Sequence, residues 1–396
     1  MYNRDFLKYF RINKFFLQFC GVMPFLTWGF FVNGIFMLMS ICTCLFLTLP
    51  GFYIMISRLK IMATTKILNI FCDLIEILVV AFQVMLLLPK RRKLVNLVNL
   101  CNDLWENIKN KEEAEIVTGY ASIALYLTYG FSINVFFALL ALLIQPLLSE
   151  FIYNSNGTMI ISKELPYSSG IFHENVQYFN IWYALQIPAG LWSIIPIIGI
   201  DTAIAFFVFH ACAHFKLLQF QISKLNPINS DLKNNNNNNN LNNNTFVEIV
   251  RIIKQHQRVL NYSAAVEDVF SPVVLMQAIL SITAICGFGF NFLMVNGGQN
   301  TATYAVHLIG GIFQLLIFCW PPNNLLFESM SIGFSAYNSP WYGWTKKERQ
   351  LIEIITFRSQ KFAYLSAGKF AYMSLQAFTS ILSSAFSFFT LLRRVV

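Results

Sequence analysis

Apolar residues gather along this chain in seven long blocks, at 28–57, 67–88, 121–148, 183–209, 271–295, 302–320 and 370–392, with Lys, Arg and Asn collected between them. Several blocks exceed the ~20 residues that a helix needs to cross a hydrocarbon core of about 30 Å. The pattern predicts an all-α membrane protein with seven transmembrane helices. Composition agrees, at 56% apolar, 12% charged and 40 Phe in 396 residues, where a soluble domain would be about half apolar and a quarter charged.

The basic residues predict an orientation, because Lys and Arg near span ends resist translocation while Asp and Glu matter little. With the N-terminus cytoplasmic, 22 of the 28 Lys and Arg fall inside and 6 outside. An odd number of spans then puts the C-terminus outside, in the extracellular compartment. Residues 1–27 carry Arg4, Lys8, Arg11 and Lys14 with no small-residue cleavage site, and read as a retained cytoplasmic segment. Asn156-Gly157-Thr158, a glycosylation acceptor, lies in the outside loop between the third and fourth spans, whereas the sequons at Asn243 and Asn261 lie inside. The eight cysteines sit in spans, in the N-terminal segment (Cys20) or in a cytoplasmic loop (Cys101), so no extracellular disulfide framework is expected. The net charge of +9 reflects this topology, not nucleic-acid binding.

Between the fourth and fifth spans, residues 226–245 include Pro227 and the run Asn234 to Asn240, a composition that buries no core and predicts disorder. From Phe246 to Phe270, apolar Val247, Val250, Ile253 and Leu260 alternate with Arg251, Lys254 and Arg258, which predicts an amphipathic helix extending the fifth span. The stretch Glu328 to Gly368 reads similarly. No cofactor motif, metal-ligand cluster or catalytic constellation is visible.

The polar residues of the seventh span, Gln376, Ser380, Ser383, Ser387 and Thr390, recur at steps of four, three, four and three and so share one helical face. Such a face avoids lipid; it lines an aqueous path or a tight helix interface. Asp73 and Glu76 in the second span and Asp201 in the fourth, each costing about 3 kcal/mol if left in the bilayer centre, must face protein or water. Structural hydrogen bonding is the expectation for them, since no intramembrane Lys or Arg completes a proton relay. His210 and His214, four apart, lack further metal ligands. The aromatics Phe71, Phe136, Phe137, Tyr183, Trp192 and Tyr304, with His307, are candidates to wall an apolar pocket. A volatile of about ten heavy atoms there, at roughly 0.5 kcal/mol per atom, would bind at micromolar concentration or more weakly.

The C-terminal part, through Leu326, Glu328, Ala336, Tyr337, Trp341 and the run from Phe378 to Arg393 ending Phe-Ser-Phe-Phe-Thr-Leu-Leu-Arg, resembles the insect odorant receptor family. The gustatory relatives begin this motif with Thr-Tyr and end it with Gln-Phe, which Ser387-Phe388 and Leu391-Leu392 do not match. The resemblance implies an odorant-gated, non-selective cation channel in the plasma membrane of olfactory neuron dendrites. It implies a tetramer with a shared co-receptor, small volatile hydrophobic ligands, and contact with membrane lipid. On that reading the four seventh helices line the pore, Leu391 looks like the hydrophobic gate, and Arg394, where the co-receptor has a neutral polar residue, would oppose cation flux. The chain then divides into a cytoplasmic segment (1–27), four helices with the ligand-binding bundle (28–215), a cytoplasmic loop with the Asn-rich insert (216–270), the fifth and sixth helices (271–320), a cytoplasmic anchor (321–369) and the pore-lining helix (370–396). A secondary transporter, suggested by Asp73, Glu76 and Asp201, and a gustatory-type receptor channel are the alternatives.

Overall fold

The fourth apolar block becomes the axis of the molecule. In helix α6 (Val176–Ser223) every residue from Ile198 to Phe215 is buried, so other helices must cover it on all sides. The computed structural model describes residues 3–24, 30–58, 64–108, 110–148, 152–153, 159–161, 165–167, 176–225, 238–294 and 300–395. Around α6 stand α2 (Phe30–Arg58), α3 (Thr64–Leu87), α5 (Lys111–Leu148), α7 (Asn238–Met294) and α8 (Asn300–Tyr337), with α10 (Leu375–Val395) packed outside on α7 and α8. Together, among the described residues, they make seven helices long and apolar enough to cross a membrane. The described residues hold three further helices, α1 (Asn3–Phe19), α4 (Arg91–Glu106), which continues the α3 stretch as far as Glu106, and α9 (Lys346–Ser359). A short antiparallel strand pair, β1 (Ile152–Tyr153) with β2 (Met159–Ile161), lies between α5 and α6.

The spans continue well past their apolar blocks at the end where basic residues concentrate, here called the basic end. There α5, α6, α7 and α8 run on as one packed body with α4 and α9. Gln219 Nε2 donates to Glu328 Oε2 at 2.7 Å, and Tyr120 Oη donates to Glu328 Oε1 at 2.8 Å. The Tyr262 hydroxyl donates to the Phe207 carbonyl at 3.0 Å. Helix α9 starts on a capping box in which Thr345 and Glu348 satisfy each other's backbone amides. Residues 246–270 are helical as part of α7, and their buried stripe is Ile249, Ile252, Val259 and Tyr262, with Val247 exposed.

Three expectations need correction. First, the segment at the N-terminus, for which no element was expected, holds a packed helix: Phe10, Asn13, Leu17 and Cys20 are buried and recur at helical steps, and α1 packs on α6. The Phe10 ring lies 5.0 Å from Phe206 and 5.4 Å from Phe207, and Asn13 Nδ2 donates to Thr202 Oγ1 at 2.7 Å. At Gly199 a Cβ would come within 2.9 Å of Phe16, so glycine there lets the two helices close up. Second, α7 begins at Asn238, so the last part of the Asn run continues the downstream helix; Asn is only a modestly poor helix former, and residues 226–237 lie outside the described residues. Third, the seventh span starts at Leu375, not 370, because a tight hairpin intervenes. Strands β3 (Ser366–Ala367) and β4 (Ala371–Tyr372) pair across Gly368 and Lys369, both with positive φ. Gly368 N donates to the Ser271 carbonyl at 3.0 Å, and Ser366 donates from backbone and hydroxyl to Glu267, which seats the hairpin on α7. Its neighbour Asp268, hydrogen-bonded to Lys93, has its carboxyl held below the ordinary range chiefly by that contact.

Candidate functional site: an internal cavity and an outward-facing polar helix

The dense core lies at the basic end, and toward the far end the bundle opens around a cavity of about 120 Å³. Its walls come from α3, α5, α6, α7 and α8. Ile75, Val79, Phe131, Leu139 and Ile285 make its apolar middle. Gly310 and Gly311 on α8 keep that wall thin; a Cβ at Gly310 would sit 2.9 Å from Asn134 Oδ1 across the helix pair. Tyr167, from the buried segment Leu165–Tyr167 between α5 and α6, closes one side. Gln186 clamps it by donating to the Tyr167 carbonyl at 3.0 Å and accepting from Tyr167 N at 3.2 Å.

The cavity has two polar ends. At the deeper one, Gln314 Nε2 donates to Asp201 Oδ2 at 2.6 Å and Gln83 Nε2 donates to Asp201 Oδ1 at 2.9 Å. Gln83 Nε2 also reaches Gln277 Oε1 at 3.2 Å, and Gln277 Nε2 donates to Ser281 Oγ at 3.2 Å. Asp201 is completely buried, so it serves here as the shared acceptor that ties α3 and α8 to α6, with α7 joined through the Gln83–Gln277 bond. This is the structural role expected for it. The other end lies seven residues along α3 and α8, about 10 Å away at 1.5 Å per residue. There Glu76 and His307 line the wall, 4.0 Å apart between Oε2 and Nε2, with the Phe288 ring 5.3 Å from the imidazole.

Of the aromatic candidates and His307, His307 alone lies among the lining residues. Phe71, Phe136 and Phe137 are 38%, 49% and 56% exposed on the outside of the bundle. The Tyr183 hydroxyl donates to the Leu143 carbonyl at 2.8 Å, and Trp192 Nε1 donates to Ser40 Oγ at 3.1 Å while its ring stacks on Phe36 of α2. Tyr304 is half-buried and outside the lining. An aromatic facing lipid and one facing a cavity look alike in a sequence, because both environments are apolar. The amides Gln83, Asn134, Gln277 and Gln314 were the available signal, since uncharged polar residues within apolar spans also need partners. The cavity is also smaller than a ten-atom ligand requires; about 150 Å³ accepts a benzene-sized molecule. His210 and His214 pack ring against ring, 4.5 Å between centroids, among Trp105 and Tyr262. Asn156 lies outside the described residues.

The second feature is α10. It leans on α7 and α8 through Phe378, Ile381, Leu382, Ala385, Phe389 and Leu392. At 100° per residue these occupy one side, and Gln376, Ser380, Ser383, Ser387, Thr390 and Arg394 occupy the other, all exposed with Leu391 beside them. The hydroxyls donate back into the helix, Ser380 to the Gln376 carbonyl at 3.0 Å and Ser387 to the Ser383 carbonyl at 2.9 Å. Donors are thereby satisfied while oxygen lone pairs remain turned outward. Arg393 and Arg394 end the helix where cations favour its dipole.

Residues 63–386 match the family model described as 7tm Odorant receptor. Odorant receptor 13a of Drosophila melanogaster is 28% identical over 224 residues, 52% of this chain and 51% of that protein. Odorant receptor 10 of Aedes albopictus is 25% identical over 38% of this chain and 40% of its own length. Odorant receptor 22c of Drosophila melanogaster is 24% identical over 300 residues, 73% and 72% of the two chains. The chain thus spans about half or less of the length of the first two of these relatives. The solved structure of the insect olfactory receptor OR5 from Machilis hrabei in complex with eugenol has the same fold, with TM-score 0.78 and 14% identity over 99% of this chain and 98% of the other. The chain belongs to the 7tm odorant receptor family.

Proposed function

We propose that this member of the 7tm odorant receptor family is the ligand-tuning subunit of an odorant-gated, non-selective cation channel, assembled as a heterotetramer with a co-receptor in the plasma membrane of olfactory neuron dendrites. The observation that carries this reading is the pairing of an internal cavity with a terminal helix whose polar face looks away from its own bundle. A row of hydroxyls and Gln376 is unfavourable against lipid, so the fold is complete only when that face meets water or another subunit. Four such helices around one axis give a wet path, with Leu391 as the narrow apolar ring near its end. Arg394, in line with Gln376, disfavours cations if every subunit contributes one, which favours mixing with a subunit lacking it.

The orientation on this reading keeps the N-terminus and the basic end cytoplasmic and the C-terminus outside, following the Lys and Arg distribution. The small cavity is the odorant site. Odorant must bind the open arrangement better than the closed one, and a differential of a few kcal/mol suffices to shift the population. The hairpin gives the connection a physical route: α7 supplies Gln277, Ser281 and Phe288 to the cavity, and the same helix holds the segment from which α10 departs through Glu267 and Ser271.

The test is voltage clamp of oocytes expressing the chain with and without an insect co-receptor, under a panel of small volatiles. An odour-evoked cation current that needs both subunits and changes with Leu391→Ala is the expected result. A chain present at the surface that gives only slow, proton-coupled solute uptake would overturn the reading in favour of a transporter.

A further inference from the structure

The Glu76–His307 end of the cavity has a chemistry of its own. His307 Nδ1 lies 2.8 Å from the Thr303 carbonyl, which can only accept, so Nδ1 carries a proton. In the neutral ring Nε2 is then a lone-pair acceptor, and it looks toward Glu76 across 4.0 Å, too long for a hydrogen bond. Glu76 has no hydrogen bond among the described residues, and its side chain is 38% accessible at the cavity wall. With Glu76 ionised, two acceptors face the same space with no donor between them among the described residues. Among the described lining residues Glu76 is the one formally charged group, and none is Lys or Arg. Beside the pair stands the face-bearing aromatic Phe288, and beyond it runs the apolar slot toward Gln277.

We infer that the Glu76–His307 pair is a donor-selective subsite, which takes the ammonium group of a short alkyl amine and rejects a carboxylate of the same length. This rests on the reading of the cavity as the odorant site. An alkyl ammonium brings three donors and a positive charge, enough to bridge Glu76 and His307 while its cation meets Phe288. It remains protonated at neutral pH, as a Lys side chain does. An alcohol brings one donor and no charge and ranks second. A carboxylate meets like charge and finds no donor, and a plain alkane leaves both acceptors unsatisfied. The slot of about 120 Å³ accommodates a tail of roughly five carbons, by comparison with the benzene-sized occupant of a cavity of about 150 Å³.

The experiment applies pentylamine, pentanol, pentanoic acid and hexane to oocytes expressing the wild-type chain with a co-receptor, and compares half-maximal concentrations. Pentylamine is expected to act at the lowest concentration, pentanol next, with pentanoic acid and hexane weakest. Glu76→Gln keeps the shape and removes the charge; it should raise the pentylamine requirement about tenfold to a hundredfold, the worth of one hydrogen bond to a charged group, while moving pentanol far less. Glu76→Asp should recover part of the loss. Pentanoic acid as potent as pentylamine on the wild type would overturn the subsite without any variant being needed. So would an unchanged amine response in surface-expressed Glu76→Gln, while the odorant-receptor reading stood. Silence toward all four probes and a broad volatile panel, with both subunits at the surface, would instead sink that reading, and the subsite with it.

Discussion

Replacing Asp201, itself completely buried, by Leu would leave the Gln83 and Gln314 amides aimed at a methyl group where four helices meet. The magnitude follows from the two bonds they make, at 2.9 and 2.6 Å. Interhelical hydrogen bonds inside membranes average about 0.6 kcal/mol and reach about 1.7, because the separated helices also find partners. Two of them give about 1–3 kcal/mol, or roughly a 5- to 150-fold change in the folded ratio. Gln83 keeps its 3.2 Å contact with Gln277, so Gln314 should suffer more. The assay is the midpoint of heat-induced loss of the monodisperse peak in detergent, read by size exclusion. Asp201→Leu should lower it and Asp201→Asn, which keeps one acceptor, should fall between. The decisive variant combines Asp201→Leu with Gln83→Leu and Gln314→Leu. Removing all the partners of a buried polar group is far less harmful than removing one, so the triple variant should regain most of the loss. If Asp201→Leu alone is as stable as the wild type, or the triple variant is no better than the single, Asp201 does not hold these helices together.

Gly368→Val places a β-branched residue at φ 60° and drives its Cβ into Leu275, so the hairpin should shift and the evoked current should fall by more than expression does, measured against surface biotinylation. Phe10→Ala empties a fully buried site between Phe206 and Phe207 and should lower the melting midpoint by about 3–5 kcal/mol equivalent, the usual toll of a Phe→Ala core change. His256, in the part of α7 beyond the spans, is pushed down to about 4 by burial first and by the nearby Arg358 second. Its unfolded value is ~6.5, so the unfolded chain binds more protons between these limits; the stability it confers is full above pH ~6.5 and is lost as pH falls toward 4. The slope of midpoint against pH should flatten in His256→Gln. Cysteine placed at Ser383 or Ser387 should react with a water-borne thiol reagent in assembled channels, and faster during odour application, whereas cysteine at Ala385, which faces α10's own bundle, should not.

Seven spans and the outward stripe of α10 were legible because each depends on one helix at a time: apolar length for the first, steps of three and four for the second. The cavity was not, because its wall is made by five helices whose rotations depend on one another. Phe136 and Phe137 satisfy lipid as well as they would satisfy a ligand, whereas Gln277 and Gln314 satisfy only partners, and the amides were the better guide. Helix α1 was concealed by its four cations, although Phe10, Asn13, Leu17 and Cys20 already fell on one face. The late start of α10 turned on two residues, Gly368 and Lys369, whose left-handed conformations interrupt an otherwise apolar run.

Because α10 grips its own bundle along a single stripe, part of this protein's stability would, in the proposed assembly, belong to no single molecule. Seating of the last helix would then obey mass action in the plane of the membrane, tightening as subunits crowd and loosening as they are diluted with lipid. A melting midpoint measured at one lipid-to-protein ratio therefore does not transfer to another, and the C-terminal helix, not the buried axis of α6, is where that dependence will be felt first.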